Sequence, residues 1–172
     1  MHKSRYNPPP VKSRTIHPAD QAKGDEAELR FKDWLDSSRV PSIYLDQTPL
    51  SVPAHLRGQL KRPDYVVGVP GVGALAFDVK AKSLYNGHFI FEFDEISRMR
   101  NFARLFHYTV YFACLDPDGS AESYWIRLDQ FDNLMPVRRG SSLTLAIPAD
   151  AVQLVSMQRP FQDALQDATR LA

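Results

Sequence analysis

Two short apolar runs of the sequence each contain a carboxylate at a position where a core residue would be expected. One run is RPDYVV, residues 62–67, which contains Asp64; the other is AFDVKAK, residues 76–82, which contains Asp78 and, two positions later, Lys80. Close carboxylates repel each other and raise the pKa of one of them unless a cation lies between them. Mg²⁺ binds through one or two carboxylates and keeps several waters. A lysine beside such an ion can orient the nucleophilic water or stabilise charge that develops on a phosphate.

The segment between the two runs, residues 68–73, is rich in glycine and proline and predicts a turn. If it closes an antiparallel hairpin centred near Gly71, Asp64 and Asp78 face each other, with Cβ atoms about 5 Å apart. Because side chains alternate along a strand, Asp78 and Lys80 share one face of the sheet. The residues leave one structural alternative open, a salt-bridged cluster of Asp64, Asp78 and Lys80 on a solvent-facing sheet surface.

The composition is that of a globular protein and sets bounds on its partners. The chain has 172 residues, of which 44% are hydrophobic and 24% charged, so we expect one domain with a sizeable core. The formal net charge is only +1, so any nucleic-acid surface must be a local patch. The single cysteine, Cys114, lies in an apolar run, which predicts a buried thiol in a reducing compartment. No signal core or membrane-length apolar run is evident, and we expect a soluble cytoplasmic protein.

Periodicity and turn residues predict the elements that must position the carboxylates. Residues 1–17 combine basic residues with three consecutive prolines and predict a flexible basic arm, followed by a single domain over residues 18–172. Helical spacing predicts a helix over residues 20–38, capped by Asp20, and another over 94–106, capped by Asp94. Alternation predicts strands in 42–47, in 88–91 as the return of an Asn86-Gly87 hairpin, and in 109–115, 123–128 and 143–147, with a closing helix near 161–168.

Two glutamates of the first predicted helix could reach a site at the edge of the core. Glu26 and Glu28 flank the apolar stripe of that helix on opposite sides, and periodicity does not choose between them. A helical Glu28 followed by Pro63-Asp64 and then by Asp78-Val79-Lys80 resembles the PD-(D/E)xK nuclease superfamily over about residues 20 to 128. The first helix also looks like that of Holliday-junction-resolvase-like branches, and this likeness favours Glu28 over Glu26; it rests on Gly24-x-x-x-Glu28 and Trp34-Leu35.

The resemblance implies an α/β fold with a restriction-endonuclease-like α/β/α core, in which helices flank a mixed central sheet. It implies Mg²⁺ or Mn²⁺ held by Asp64, Asp78 and the backbone carbonyl of Val79, with Glu28 acting through water. Lys80 would position or activate the attacking water. Some branches place a polar residue on the helix after the third core strand, and the candidates for that position are Glu95 and Arg98.

The resulting hypothesis is a metal-dependent endonuclease that hydrolyses phosphodiester bonds in DNA. The candidate nucleic-acid contacts are Lys61, Arg62, Lys82 and Arg98. Two other functions remain open: a non-catalytic nucleic-acid-binding or assembly subunit on the same fold, and a nuclease directed at RNA, such as a toxin or defence effector. Junction-cleaving relatives tend to be dimers, which makes a homodimer one open alternative, and no membrane partner is expected.

Overall fold

A computed structural model describes residues 17–48 and 51–170, so the expected basic arm lies, apart from His17, outside the described residues. Each helix in these ranges is too short or too polar to cross a lipid bilayer. The elements are α1 (Pro18–Ser37), β1 (Ser42–Tyr44), β2 (Tyr65–Val69), β3 (Gly73–Ala81), β4 (His88–Glu92), α2 (Phe93–Phe106), β5 (Thr109–Leu115), β6 (Glu122–Arg127), β7 (Val137–Arg139), β8 (Ser142–Pro148), β9 (Gln153–Ser156) and α3 (Phe161–Arg170). Short 3₁₀ segments lie at Ala54–Leu56, Leu128–Phe131 and Ala149–Ala151.

A six-stranded mixed sheet forms the centre of the described fold. Its strands lie in the order β1-β2-β3-β5-β6-β9. Strand β3 pairs with β5 in parallel, whereas the other neighbours pair antiparallel. A parallel pair needs a long crossover connection, and the segment that contains β4 and α2 provides it. Strands β4, β8 and β7 form a separate antiparallel sheet.

The two faces of the central sheet are covered by separate apolar cores. On one face, Phe77 and Val79 of β3 pack with buried residues of α1 and α3. On the other face, Ala76 of β3 and Phe112 of β5 pack with α2, β4 and β8. Residues that alternate along β3 thus enter opposite cores, as the strand period of two requires. Helices flank a mixed sheet on both faces, which confirms the predicted α/β fold class.

Both predicted helix caps were wrong, although both helices were found. Helix α1 begins at Pro18, and its cap is His17, whose Nδ1 accepts the N–H of Ala19 at 3.3 Å. Proline suits the first helical position because its φ is already helical and its missing N–H costs nothing there. Helix α2 begins at Phe93, so Asp94 lies within the first turn rather than at the cap. An acidic residue in the first turn still stabilises the helix, because it interacts with the positive end of the helix dipole.

The Asn86-Gly87 turn is confirmed, but the strand that follows it pairs elsewhere. Both residues have positive φ, 48° and 75°, and a single bridge joins Tyr85 to His88. Strand β4 then pairs with β8, with Phe91 opposite Leu145, and does not extend a hairpin. The expected hairpin was therefore wrong, because its partner strand is supplied by a segment more than 50 residues away in sequence. Two short strands, β7 and β9, were not predicted.

We expect replacement of Phe77 by alanine to destabilise the fold strongly. Its ring is fully buried, with centroid distances between 5.0 and 5.6 Å to the rings of Phe31, Tyr111, Trp125 and Phe161. A cavity at this position should lower the free energy of unfolding by about 3–5 kcal/mol. Urea denaturation measures this change. The control Val72→Ala, at a turn residue that is 75% exposed, should change it by less than about 0.5 kcal/mol. Equal effects of the two variants would contradict the packing described here.

Candidate active site

The β2–β3 hairpin brings the two aspartates of the sequence motif together. Its ladder pairs Val69 with Gly73 and ends with Tyr65 opposite Phe77, so the hairpin is centred on Gly71, as predicted. The φ of Gly71 is +77°, a conformation that favours glycine. Asp64 lies one residue beyond the last pair, and its backbone N–H donates to the carbonyl of Phe77 at 2.9 Å.

Beyond the end of β2, the Asp64 side chain takes the place of a backbone acceptor for β3. Its Oδ2 accepts the backbone N–H of Val79 at 2.7 Å, and the residue is only 7% exposed. Burial, followed by the negative charge of Asp78, raises the pKa of Asp64 to about 7. A carboxyl group in this position is ready to ionise when additional positive charge enters the site, because a nearby cation favours its charged form.

Asp78 is fully buried and lies between two ammonium groups. Lys61 Nζ donates a hydrogen bond to Oδ1, and Lys80 Nζ lies 2.6 Å from Oδ2. Each oxygen of the carboxylate is therefore in contact with an ammonium group, and Asp78 is neutralised by side chains of the chain itself.

Glu95, in the first turn of α2, links the two lysines. Its Oε1 lies 3.2 Å from Lys61 Nζ and 3.3 Å from Lys80 Nζ. Burial alone would raise its pKa, but the ammonium groups of Lys80 and Lys61 hold the pKa of Glu95 at about 2. Lys61, Asp78, Lys80 and Glu95 thus form an ion-pair square of alternating charge. Of the two residues considered for α2, the structure brings Glu95 into the site, whereas Arg98 pairs with Asp94 at 3.0 Å.

Lys80 remains protonated in this arrangement. Burial opposes its charge, but the carboxylates of Asp78 and Glu95 hold the pKa of Lys80 well above its ordinary value. Lys80 can therefore donate hydrogen bonds and neutralise charge, but it does not accept a proton. The structural alternative, a salt-bridged cluster of Asp64, Asp78 and Lys80 on a solvent-facing surface, was right about the ion pairing of Asp78 with Lys80. It was wrong about the exposure, because Asp78 is completely buried.

Helix α1 places Glu28 at the edge of the same site. Burial raises the pKa of Glu28, and the positive charge of Lys80 opposes that rise, so the two side chains interact electrostatically. The backbone carbonyl of Glu28 accepts a hydrogen bond from the Tyr65 hydroxyl at 3.4 Å, which connects α1 to β2. Glu26, the other glutamate considered from the sequence, is exposed.

The four basic residues considered as nucleic-acid contacts all have partners within the described chain. Lys61 belongs to the ion-pair square, and burial lowers the pKa of Lys82. The partners of the other three are the Thr48 carbonyl and Ser51 hydroxyl for Arg62, the Ile90 carbonyl and Phe91 ring for Lys82, and Asp94 for Arg98. These partners use only part of the donor capacity of lysine and arginine side chains, so a phosphate could be contacted as well.

Other arginines line a cleft of about 660 Å³ beside α2. Arg100 pairs there with Asp132 at 2.9 Å, and Arg127 pairs with Asp129 at 2.7 Å. The positive charges of Arg100 and Arg127 are therefore largely compensated by these two aspartates. The aspartates and lysines of the candidate site do not line this cleft.

The donor set suits a hard divalent cation that keeps most of its waters. Two of the donors are the carboxylates of Asp64, which directly precedes β2, and of Asp78 in the neighbouring strand β3. The N–H and C=O of one residue in an extended strand point to the same neighbour, so the Val79 carbonyl is directed towards Asp64. Across residues 17–48 and 51–170, no three Asp, Glu, His or Cys side chains form a group that could hold a metal ion. Two carboxylates and one carbonyl still match the ligation that Mg²⁺ accepts, with water as the remaining ligands.

No protein-family model matches the sequence, and no curated protein matches it. Among solved structures, one match is Hjc from Archaeoglobus fulgidus, described as a Holliday junction resolvase from an archaeal hyperthermophile. The match has 20% sequence identity and a TM-score of 0.49, and it covers 76% of this chain and 90% of that chain. A likeness of this degree assigns neither an activity nor a substrate to the present protein.

We expect Asp64→Asn to stabilise the protein at high pH but not at low pH, in buffer without divalent cations. A folded-state pKa near 7, above the ordinary value of 3.8, means that the folded state holds a proton that the unfolded state releases. Stability is then lost as the pH rises from about 4 to about 7. The neutral variant avoids this loss and should exceed wild type at pH 8 by on the order of 4 kcal/mol.

Urea denaturation at pH 4 and pH 8 measures this difference. Asp46 is the matched control, because hydrogen bonds from Thr48 lower the pKa of its carboxyl group. Both pH values lie above the ordinary value of 3.8, so the stability of Asp46→Asn relative to wild type should change little between pH 4 and pH 8. A pH-independent effect of Asp64→Asn would contradict the assigned environment of Asp64.

Proposed function

We propose that this protein is a divalent-metal-dependent nuclease that hydrolyses phosphodiester bonds in DNA. The observation that supports this most directly is the convergence of Asp64 and Asp78 beside a protonated Lys80. Desolvation and mutual repulsion both oppose the charges of two neighbouring buried carboxylates. Two such side chains are therefore not expected in a sheet that has only a structural role. The arrangement becomes favourable when a divalent cation binds.

In this proposal, Asp64, Asp78 and the Val79 carbonyl hold Mg²⁺ or Mn²⁺, and Glu28 contributes through water. A bound divalent ion lowers the pKa of its water and neutralises charge on the phosphoryl oxygens. The burial of the two aspartates, Asp78 within β3 and Asp64 just before β2, fixes their side chains before substrate arrives. Such preorganisation matters because phosphodiester hydrolysis depends on positioning and on electrostatic stabilisation.

Lys80 acts as a hydrogen-bond donor and a positive charge. Held as an ammonium by Asp78 and Glu95, it can orient the attacking water or contact a non-bridging phosphate oxygen. Glu95 does not reach the reacting atoms in this account, but it keeps Lys80 at the site. The proton of the attacking water goes to solvent or to a carboxylate, since Lys80 has no capacity to accept it.

A non-catalytic nucleic-acid-binding or assembly subunit is the second candidate. The hydrogen bond from Lys61 to Asp78 favours it, because that carboxylate is neutralised without any metal. This candidate predicts nucleic-acid binding that survives Asp78→Asn, together with no cleavage.

Cleavage assays separate the two functions. We expect wild-type protein to cut DNA in Mg²⁺ or Mn²⁺ and not in EDTA. Asp78→Asn and Lys80→Met should each lower the rate by about 100-fold or more, since each removes a charge that acts on the transition state. Asp33→Asn and Lys32→Met, at exposed positions of α1, are the matched controls and should cleave at the wild-type rate.

The assay should include plasmid, linear, single-stranded and branched DNA, and RNA of the same sequence. Faster cleavage of RNA than of DNA would replace the proposed substrate and keep the chemistry. Equal trace cleavage by wild type, Asp78→Asn and Lys80→Met would contradict the enzymatic proposal.

A further inference from the structure

We propose that Lys61 is the resident counter-ion of Asp78 and that Glu95 is a positioning residue that retains Lys61 when a divalent cation displaces it. The inference rests on the proposed function, because it concerns the competition of the Lys61 ammonium and a divalent cation for the Asp78 carboxylate. It assigns a role to two residues that lie outside the Pro-Asp and Asp-x-Lys motif.

The contacts of Lys61 permit such a transfer with little movement. Its Nζ already touches both carboxylates, donating to Asp78 Oδ1 and lying 3.2 Å from Glu95 Oε1. Releasing Asp78 therefore breaks one contact and keeps the other. The backbone N–H of Lys61 donates to the carbonyl of Arg98 at 3.3 Å, which anchors the main chain to α2, so the movement is confined to the side chain.

Lys61 is better placed than Lys80 to move. The two lysine side chains are similarly exposed, at 23% and 22%, but Lys61 precedes β2 in an irregular segment. Lys80 lies within β3, where it is paired with Cys114 of β5. A strand residue in the middle of a sheet holds its side chain on a fixed face. Lys61 thus supplies the mobile charge, and Lys80 supplies the fixed one.

Charge balance explains why one lysine must leave. In the ion-pair square, two ammonium groups already neutralise Asp78 and Glu95. A divalent cation that joined Asp78 with both lysines still in contact would meet two like charges at close range, which is unfavourable in a buried site. Glu95 accepts the displaced ammonium, and its place in the first turn of α2 favours its own negative charge.

Calorimetric titration of the 172-residue chain with Mn²⁺, without nucleic acid, tests the inference. We expect Lys61→Met to bind Mn²⁺ about tenfold more tightly than wild type, because the competing ammonium is gone. Lys61→Arg keeps the charge and should bind as wild type does. Lys32→Met is the matched control, since Lys32 is an exposed lysine of α1 that pairs with Asp36 instead of Asp78, and it should change the affinity less than about twofold.

The role of Glu95 is tested in two backgrounds. Glu95→Gln alone should weaken Mn²⁺ binding about tenfold, because Lys61 loses its second partner and stays on Asp78. The same substitution in Lys61→Met should change the affinity less than about twofold, since Glu95 acts through Lys61. Equal effects in both backgrounds would show a direct electrostatic role of Glu95 and overturn its assignment as the acceptor of Lys61.

Two further outcomes separate this inference from the proposed function. If Lys61→Met binds no more tightly than wild type while Asp78→Asn abolishes binding, the inference fails and the metal site stands. If neither wild type nor Lys61→Met binds Mn²⁺, both fail. Thermal unfolding checks that each variant folds, and Lys61→Gln replaces Lys61→Met if the latter does not, because its amide can still donate to Asp78 without carrying charge.

Discussion

The burial of the Asp78 carboxylate is the constraint on which the rest of the site depends. A fully buried charge is stable only when it is paired, and Asp78 lies on a strand in the middle of the sheet. The sheet cannot satisfy it through the backbone, so side chains must approach from three directions. Lys80 comes from the same strand, Lys61 from the segment before β2, and Glu95 from α2 holds both lysines in place. The fold around β3 is thus arranged to surround one negative charge.

The same arrangement connects stability with function. Burial of Asp64 and then its repulsion by Asp78 raise the pKa of Asp64, which expresses the cost of ionising it in the absence of a divalent ion. The hydrogen bond from the Val79 N–H holds Asp64 at this position despite the repulsion. In the proposed nuclease, a divalent cation converts this unfavourable pair into a ligand set. Destabilised residues of this kind are characteristic of functional sites, where part of the stability is given up for chemistry.

Local rules were sufficient to predict the hairpin. The positions of Gly71 and of the flanking apolar runs set the register, and alternation along β3 correctly sent Phe77 and Val79 to one core and Asp78 and Lys80 to the other face. These features depend on residues close together in sequence. Local rules do not predict the pairing of Lys61 with Asp78, because Lys61 lies in an irregular segment with no periodicity. The sequence indicated Lys61 only as a nucleic-acid contact. The contact of Lys61 with Glu95 depends on where α2 packs. The chain reaches α2 through a crossover, and sequence patterns do not predict where that crossover places the helix.

The errors at the helix starts and at β4 have different origins. Asp20 and Asp94 satisfy the sequence rule for a cap, but Pro18 and Phe93 extend both helices upstream. The turn at Asn86-Gly87 formed as expected, yet β4 pairs with β8 because that strand completes the core above α2. At the helix starts the residues immediately upstream set the boundary, whereas at β4 tertiary packing determined the partner strand.

The proposed nuclease activity depends on the binding of a divalent cation by Asp64 and Asp78. Anomalous diffraction from crystals soaked in Mn²⁺ tests it most directly. We expect an anomalous peak within coordination distance of both carboxylates and of the Val79 carbonyl. A peak confined to other acidic positions, with Lys61 still bound to Asp78 and no density between the two aspartates, would contradict it.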